Sequence, residues 1–360
     1  MRKFLIFLSF LLVYTGVIAQ VPVYYKSIDF TKSGDELKSQ MTNLITSTHT
    51  TLLWYTSSSY NEWALDTWTV LRESDLDPDN SDKDTVLLTY GYDDAGESKF
   101  HRTRDVRSSC HSSSCAGLWV REHTFAQASA TPKLTTTQPG SGTDAHNLRA
   151  IDSQFNGTRS NRSFTEGSGN AGVAANGGFY PGDEWKGSVA RIIMYMNVRY
   201  PSQCDANNSA ISTNTYNSSM PDVFLRWNAE QAPSIFEKLR NEVIYENQGN
   251  RNPFIDNPYI ATLIWGGQKA SDTWGLMDVK EIPTSQIEYG VYPTVTADSY
   301  TYVKGDDLSS IHVYNYNGQL MAIDNNLTDG IIPLPDASGV YIIKIQSNQG
   351  DINTYKVIRK

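Results

Sequence analysis

The sequence predicts an α+β fold, with a mixed, mostly helical domain followed by a small all-β domain. Two patterns support this fold class. Amphipathic helical segments alternate with short apolar strands in the first part, whereas from about residue 291 apolar and polar residues alternate between turn signals such as Asn317-Gly318. A chain of 360 residues also has room for two or three domains. We therefore predict one domain over residues 20–284 and a β-sandwich domain over residues 285–360.

The N-terminal segment, MRKFLIFLSFLLVYTGVIAQ, has the pattern of a secretory signal peptide. Arg2 and Lys3 precede an apolar core, and the predicted cleavage site follows Ala19. The apolar run is short for a membrane span, and no second run of spanning length follows it. We expect residues 1–19 to be removed, which leaves a soluble, exported chain, and we expect that chain to be a monomer.

The mature chain keeps three cysteines, Cys110, Cys115 and Cys204. Export permits a disulfide, and the odd count leaves one thiol over. A local Cys110–Cys115 bridge and a Cys115–Cys204 bridge both stay open. A zinc site that includes His111 is a weaker alternative, because no second ligand pair follows at zinc-finger spacing.

The net charge of −9 is unevenly distributed along the chain. Residues 99–199 hold twelve Lys/Arg and seven Asp/Glu, whereas residues 20–98 hold five Lys/Arg and fourteen Asp/Glu. A basic central third inside an acidic protein is typical of a phosphate-binding surface, although a merely solvated basic patch gives the same pattern.

Helical spacing of apolar residues predicts helices over residues 33–49, 184–199 and 230–246. The third of these carries Ile235, Leu239 and Val243 at fourfold spacing. Two segments resemble ligand-binding motifs but lack parts of them. The acidic loop 74–84 lacks the Gly and the final Glu of a calcium-binding EF-hand loop. The glycine-rich segment 164–182 lacks the preceding strand and following helix of a dinucleotide site, and we expect a surface loop there.

Polar residues cluster on two predicted strands, 117–126 and 144–152, and on the turn or short helix of residues 152–164 that follows them. These polar residues are Glu122, His123, His146, Asn147, Asn156, Arg159 and Arg162. Adjacent strand residues point to opposite faces, so we expect that Glu122 and His123 are neither both buried nor both solvated. Two strands followed by a helix form the scaffold of ββα-metal nucleases.

These residue types suit the hydrolysis of a phosphodiester. That reaction needs a deprotonated water, a Lewis acid at the phosphoryl and leaving oxygens, and cations for the developing charge. A carboxylate and an amide oxygen suit Mg²⁺, and a histidine whose pKa is near neutrality suits a general base. Glu122 and His123 can therefore point in different directions and still act on one phosphate.

Four ordered segments of the chain resemble the secreted bacterial endonuclease I family. They are WVREHTFAQA, GTDAHNLRAIDSQFNGTRSNRSF, FYPGDEWKGSVARIIMYMNVRY and FEKLRNEVIYENQGNRNPFIDNPYIATLIW, and the resemblance spans roughly residues 24–266. One departure is Ala126, where many relatives have Pro. The resemblance implies a metal-dependent, largely sequence-nonspecific endonuclease that acts on DNA, with RNA open, and leaves 5′-phosphates.

Carried over by position, the resemblance implies that His123 is the general base and that Glu122 and Asn156 hold one Mg²⁺, with Ca²⁺ or Mn²⁺ open. Each residue has a structural alternative: His123 as a buried structural histidine, Glu122 as an ion-pair partner and Asn156 as a helix cap. Candidates for phosphate binding rest on charge alone, and they are Arg121, Arg149, Arg159, Arg162 and Arg191. Candidates that orient the site are His146 and Asn147.

The C-terminal region resembles the sorting domain of the type IX secretion route. VYPTVTADSYTYV, IHVYNYNGQLM, SGVYIIKI and the basic end YKVIRK carry the resemblance, with Thr294-Val295 where Asn-Pro is usual. It implies interaction with the type IX secretion machinery, and passage through the periplasm to the cell surface or the medium. An ordinary β-sandwich binding module is the alternative.

Two rival functions remain open at this point. The chain could be a non-catalytic surface protein that kept the nuclease fold and binds nucleic acid or glycan. It could also be a metal-dependent phosphodiesterase for small or lipid phosphates. The intact Glu-His and Asn set argues against the first, because a binding protein does not need a metal-activated base.

Overall fold

The computed structural model describes residues 21–57, 65–111, 114–276, 290–304, 308–324, 330–347 and 352–360. The chain divides into two compact units, Met1–Lys280 and Glu281–Lys360. The predicted signal peptide and the predicted boundary between residues 284 and 285 lie outside the described residues. Within the described ranges, no helix is long and apolar enough to span a bilayer.

Helices dominate the first unit. They are α1 (Gly34–Ser47), α2 (Thr67–Ser74), α3 (Ser153–Arg159), α4 (Lys186–Arg199), α5 (Asp222–Glu230), α6 (Ile235–Gln248), α7 (Pro253–Asp256) and α8 (Tyr259–Trp265). The predictions of α1 and α4 are confirmed. Leu37, Met41 and Ile45 bury one face of α1, as their spacing predicts, and α4 is buried along almost its whole length.

The predicted apolar face of α6 is wrong. Ile235 is 70% exposed and Leu239 is 52% exposed, although both belong to the fourfold stripe. The buried face instead carries charged and amide side chains beside Phe236 and Ile244. Ion pairs and hydrogen bonds inside the fold satisfy these polar groups, so their burial is possible and the apolar period does not identify the inward face.

Among the described residues of the first unit, the strands form three short antiparallel pairs. They are β1 (Thr85–Leu87) with β2 (Thr103–Asp105), β3 (Trp119–His123) with β4 (Leu148–Asp152), and β5 (Gly172–Val173) with β6 (Phe179–Tyr180). In the second pair Glu122 lies opposite Arg149 and His123 lies opposite Leu148. Helix α3 follows β4 directly and contacts both strands of this pair. The predicted order of two strands and a short helix is confirmed.

Asp152 joins β4 to α3. As the N-cap of α3, its Oδ1 accepts hydrogen bonds from the backbone N–H of Gln154 at 2.7 Å and of Phe155 at 3.0 Å. Its Oδ2 pairs with Nη1 of Arg104 at 2.6 Å, in a pair that is nearly buried. One carboxylate therefore fixes where the strand ends, where the helix begins and how both meet β2.

Asp152→Ala should destabilise the first unit by about 2–4 kcal/mol, because it removes the helix cap and leaves the Arg104 guanidinium buried without its carboxylate. Chemical denaturation followed by circular dichroism measures the loss. Asp152→Asn keeps an oxygen for the cap and removes the charge, so it should lose less. Equal stability of wild type and Asp152→Ala would contradict this account of the junction.

The second unit is all β, as predicted. Its strands are β7 (Gly290–Tyr292), β8 (Val295–Thr296), β9 (Tyr300–Lys304), β10 (Leu308–Asn315), β11 (Leu320–Asp324), β12 (Ile331–Pro333), β13 (Gly339–Ser347) and β14 (Ile352–Arg359). They form a five-stranded sheet in the order β11-β10-β13-β14-β8 and a three-stranded sheet in the order β12-β9-β7. Val303 and Ile332 of the small sheet share one core with Ile311 and Ile343 of the large sheet, which is the packing of a sandwich.

Cys110 and Cys115 form a disulfide, so the local alternative holds. Cys204 is a buried thiol. The zinc alternative is wrong, because the disulfide takes both of its sulfur ligands.

Candidate functional site

Glu122 and His123 are both buried, with 3% and 7% of their surfaces exposed. The expectation that they differ in burial is therefore wrong, although the two side chains do leave β3 in opposite directions. Protein covers both faces of this strand. Trp68 of α2 packs with Trp119 on the face of His123, and the Tyr90 hydroxyl contacts Glu122 on the other face. Each side chain consequently has a distinct, enclosed environment.

The contacts of His123 define its tautomer. Nε2 lies 2.7 Å from the carbonyl oxygen of Gly142, which accepts a hydrogen bond and requires the proton to be on Nε2. Nδ1 accordingly carries the lone pair, and the amide of Gln127 donates to it at 3.2 Å. Burial lowers the pKa of His123 to about 4, with the Gly142 contact opposing this shift in part. At neutral pH the imidazole is therefore uncharged and Nδ1 is its basic atom.

The backbone around His123 is held closely. A Cβ on Gly142 would lie 2.0 Å from the carbonyl oxygen of Thr135, so only glycine permits this approach. The Asn147 side chain accepts from the backbone N–H of Phe125 at 2.7 Å and donates to its carbonyl oxygen at 3.2 Å. Asn147 thus holds the chain just beyond β3, which fits an orienting role. The Tyr55 ring stacks on the imidazole, with 5.7 Å between ring centroids.

One oxygen of the Glu122 carboxylate makes a hydrogen bond and an ion-pair contact. The Tyr90 hydroxyl donates to Oε1 at 3.2 Å, and Nε of Arg159 lies 3.4 Å from the same Oε1. Burial raises the pKa of Glu122 to about 7, although Arg159 and Tyr90 favour the charged form. Oε2 accepts no hydrogen bond from the described residues, so one oxygen of the carboxylate is available to a ligand.

Asn156 lies in the middle of α3 and is half-buried. The helix-cap alternative is wrong, because Asp152 caps this helix. Asn156 precedes Arg159 by three residues, which places both on one side of α3, and Arg159 pairs with Glu122. The Asn156 amide makes no side-chain hydrogen bond with any described residue.

The residues present fit a hard cation. Glu122 and Asn156 each offer an oxygen that the described parts of the fold do not use, and oxygen is the ligand atom that Mg²⁺ prefers. No group of three His, Cys, Asp or Glu side chains is placed to hold a metal within these parts. A Mg²⁺ ion here would keep several of its waters, as it usually does.

Most of the candidate arginines form buried ion pairs within the fold. Arg191 forms a bidentate pair with Glu237 at 2.7 and 2.8 Å, and Arg149 lies 3.4 Å from Asp75; both guanidinium groups are buried. Such groups are structural, and we do not carry them forward as phosphate ligands. The buried Arg159 contacts Glu122 rather than solvent.

Arg121 and Arg162 also have internal partners. The Arg121 guanidinium carbon lies 3.3 Å from the ring centroid of Tyr55 and 3.9 Å from that of Trp68, and the group donates to Thr67 and to the Tyr55 carbonyl. Burial lowers the pKa of Arg121 to about 10. Arg162 is half-buried and donates to the carbonyl of Thr158 at 2.5 Å. Part of the basic central third is therefore internal scaffold.

His146 lies in a buried network centred on Asp144. The Asp144 carboxylate accepts from the Tyr195 hydroxyl at 2.7 Å and from the Gln248 amide at 3.0 Å. Its burial is outweighed by neighbouring His49 and His146 and by these hydrogen bonds, so its pKa falls to about 2. His146 itself is 1% exposed and contacts the carbonyl of Asn250 at 3.1 Å. It packs beneath the site.

Comparison with known proteins shows the family of the chain. The model of the endonuclease I family matches residues 33–259. The chain belongs to the endonuclease I family.

The relatives of this endonuclease I chain include two from Bacillus. The extracellular ribonucleases of Bacillus amyloliquefaciens and Bacillus subtilis (strain 168) are each 37% identical to it over 259 residues, which span 69% of this chain and 79% and 80% of those proteins. Endonuclease-1 of Buchnera aphidicola subsp. Baizongia pistaciae (strain Bp) is 27% identical over 124 residues, 31% of this chain and 46% of that protein. The C-terminal unit lies outside the family match.

Sequence reasoning missed several residues of this endonuclease I site. Tyr55 and Tyr90 contact the Glu-His pair but come from segments without a motif, whereas Gln127 lies four residues after His123 within WVREHTFAQA and was not singled out. Lys133 was also missed: it is exposed, and its neighbour Leu134 donates its backbone N–H to the carbonyl of Gln127. Only the fold brings Tyr55 and Tyr90 to β3, so spacing in the sequence held no signal for those two residues.

Proposed function

We propose that this chain is a secreted endonuclease that hydrolyses nucleic acid with little sequence preference, using a ββα-metal site. His123 is the general base, and Glu122 and Asn156 hold one Mg²⁺. The observation that carries the proposal is the state of His123: its tautomer places the lone pair on Nδ1, and the adjacent strand residue is a carboxylate with a free oxygen.

The residues of the chain account for the proton transfer. Nδ1 of the neutral His123 accepts a proton from the attacking water, and the Gly142 carbonyl then stabilises the imidazolium through Nε2–H. The Gln127 amide must move from Nδ1 for water to reach it. When bound, the metal would supply Lewis-acid stabilisation of charge at the phosphoryl and leaving oxygens. Loss of the 3′ oxygen leaves a 5′-phosphate product.

Cations for the phosphate backbone should come from exposed side chains near the site. Lys133 is exposed and forms no ion pair with any residue that the structure describes. It adjoins the segment of Leu134 and Thr135 that contacts Gln127 and approaches Gly142. We assign phosphate contact to Lys133, with Arg162, three residues beyond the end of α3, as a second candidate.

Both DNA and RNA are candidate substrates. The sequence points to DNA with RNA open, and the two Bacillus relatives are extracellular ribonucleases, which favours testing RNA beside it. Incubation of the mature full-length protein with supercoiled plasmid and with long RNA tests the function. We expect cleavage with Mg²⁺, its loss with EDTA, and 5′-phosphate ends.

The same assay separates the rival functions. Retarded migration of nucleic acid without cleavage, in any of Mg²⁺, Mn²⁺ or Ca²⁺, would favour a binding protein and contradict the proposal. Faster hydrolysis of bis-nitrophenyl phosphate than of polymer would favour a small-phosphate esterase. Activity on the polymer should fall with salt if cations contact the backbone.

Metal affinity should depend on pH through Glu122. Its pKa of about 7 means that a proton competes with the metal for this carboxylate below neutrality. The Mg²⁺ concentration for half-maximal activity should therefore rise about tenfold for each pH unit below 7, whereas His123, with a pKa of about 4, stays neutral to lower pH. An activation curve that does not shift between pH 6 and pH 8 would contradict this assignment.

We also propose that residues 1–19 direct export to the periplasm and that residues 285–360 act as a type IX sorting unit. The mature chain would then reach the medium or the cell surface as a monomer. The motifs of the second unit and its sandwich of two sheets support this proposal. Mass spectrometry of the exported protein tests it, because a sorting unit that is removed leaves a product shorter by roughly a domain of ~75 residues.

A further inference from the structure

Tyr90 has an unusual backbone for a large residue. Its φ of 69° lies in the left-handed region, which favours glycine and disfavours bulky side chains. The backbone N–H of Gly91 donates to the carbonyl of Leu88 at 3.0 Å, which closes a turn around Tyr90. The N–H of Thr89 donates to the carbonyl of Ala150 in β4 at 2.8 Å, so β4 holds this turn. The surrounding fold thus maintains a strained conformation, a state found more often at functional sites than elsewhere.

The strained turn places the Tyr90 hydroxyl against Glu122. Tyr90 is fully buried, and its ring lies among Phe155, Phe164 and Phe179, with centroid distances of 5.1–6.5 Å. Its hydroxyl donates to Oε1 of Glu122 at 3.2 Å. The close packing of these aromatic rings restricts the Tyr90 ring, and so restricts where its hydroxyl meets Oε1.

Arg159 acts on the same oxygen. Its Nε lies 3.4 Å from Oε1, and its Nη2 donates to the carbonyl of Thr124 at 3.1 Å, just beyond β3. The guanidinium carbon lies 4.4 Å from the ring centroid of Phe164, one of the rings around Tyr90. One hydrogen bond and one ion-pair contact from separate elements therefore converge on Oε1, and none of the described residues donates to Oε2.

A second carboxylate in this chain, that of Asp256, has similar partners but a purely structural role. Asp256 also receives a buried tyrosine hydroxyl, from Tyr25 at 2.5 Å, and Nε of Arg251 at 2.7 Å, both on Oδ2. Its Oδ1, however, accepts from Asn241 at 3.0 Å and from Nη2 of Arg251 at 2.8 Å. Both oxygens of Asp256 are satisfied, whereas Glu122 keeps one free.

We propose that Tyr90 is a positioning residue for the metal site: by holding Oε1 together with Arg159, it turns Glu122 so that Oε2 alone is presented to the cation. This inference rests on the proposed function, because it assumes that Glu122 is a ligand. Partners of this kind orient metal-binding side chains, and removing one lowers metal affinity by 10- to 100-fold in other proteins.

Tyr90→Phe tests the inference, because phenylalanine keeps the ring packing and removes only the hydroxyl. The matched control is Tyr25→Phe, which removes the corresponding hydroxyl from Asp256. Titration of the full mature protein with Mn²⁺, followed by electron paramagnetic resonance of the free ion, measures affinity without requiring activity. We expect Kd to rise about 10- to 100-fold in Tyr90→Phe and to stay at the wild-type value in Tyr25→Phe.

A Mg²⁺ activation curve adds a second readout. Tyr90→Phe should need more Mg²⁺ for its half-maximal rate and then approach the maximal rate of the wild type. Damage to the fold would instead lower the rate at every Mg²⁺ concentration, including saturation. Wild-type Mn²⁺ affinity in Tyr90→Phe would overturn the inference and leave the proposed function standing. Failure of the wild-type protein itself to bind Mn²⁺ would overturn both.

Discussion

His123→Ala should lower kcat by at least ~100-fold on plasmid and on RNA, the usual scale for a lost general base. Nδ1 is the atom positioned to take the proton, because the Gly142 carbonyl holds the proton of the ring on Nε2. Metal binding should survive, since Glu122 and Asn156 remain. Initial rates at saturating Mg²⁺, together with Mn²⁺ affinity, measure the two effects separately.

A histidine of the second unit serves as the control. His312→Ala, in β10 of the second unit, should keep wild-type turnover. Near-normal turnover of His123→Ala would remove His123 from the role of base. A parallel loss in His312→Ala would point to handling or folding rather than chemistry.

Glu122→Gln should abolish detectable Mn²⁺ binding and lower activity at least as far as His123→Ala, because the only carboxylate proposed as a ligand becomes a neutral amide. The free energy of unfolding of Glu122→Gln should nevertheless not be lower than that of the wild type. Burial raises the pKa of Glu122 to about 7, so the fold favours the uncharged form, which glutamine resembles in size and charge. Urea unfolding at pH 8 should show Glu122→Gln to be at least as stable as the metal-free wild type.

The pH dependence of this difference has a definite sign. Between pH 4.5, the ordinary pKa of a glutamate, and pH 7, the folded wild type keeps a proton that the unfolded chain has lost. The contribution of Glu122 to the stability of the metal-free wild type therefore falls as pH rises through this window, and Glu122→Gln lacks that fall. If the wild type instead became more stable relative to Glu122→Gln as pH rises, that result would contradict the argument.

Glu237→Gln provides a control of opposite sign. Glu237 is buried as well, but its bidentate pair with Arg191 outweighs the desolvation and lowers its pKa. Glutamine there should destabilise the protein by about 3–5 kcal/mol, because the Arg191 guanidinium is left buried without a counter-charge. The two variants together separate a functional carboxylate from a structural one.

Local pattern predicted the elements that carry the site. The spacing of apolar residues predicted α1 and α4, and two strands followed by a turn or short helix were predicted where β3, β4 and α3 lie. The roles of Glu122, His123 and Asn156 came from the resemblance to the endonuclease I family. The burial of charged groups was not predicted correctly. Arg149 and Arg191 look like members of a basic surface, yet their partners Asp75 and Glu237 bury them. Burial of an ion pair depends on which segments meet in space, and composition does not contain that information.

The same limit explains the face of α6 and the position of Tyr90. Arg240 points inward on α6 because Asp75, 165 residues away in the sequence, accepts its hydrogen bond at 2.7 Å. Tyr90 meets Glu122 across 32 residues through a turn in which a sequence reader would expect glycine. A departure from a local preference of this kind identifies a functional candidate only once its contacts are visible.

The central claim is that Glu122 and Asn156 hold one cation beside His123. A crystal of the mature protein soaked in Mn²⁺, examined by anomalous diffraction, tests it most directly. The account predicts a single strong peak in this site, about 2.0–2.2 Å from a Glu122 oxygen and from the Asn156 amide oxygen. A peak that neither side chain reaches, or oxygens of Glu122 and Asn156 that lie more than ~10 Å apart, would contradict it, because one ion of this size cannot bridge that gap.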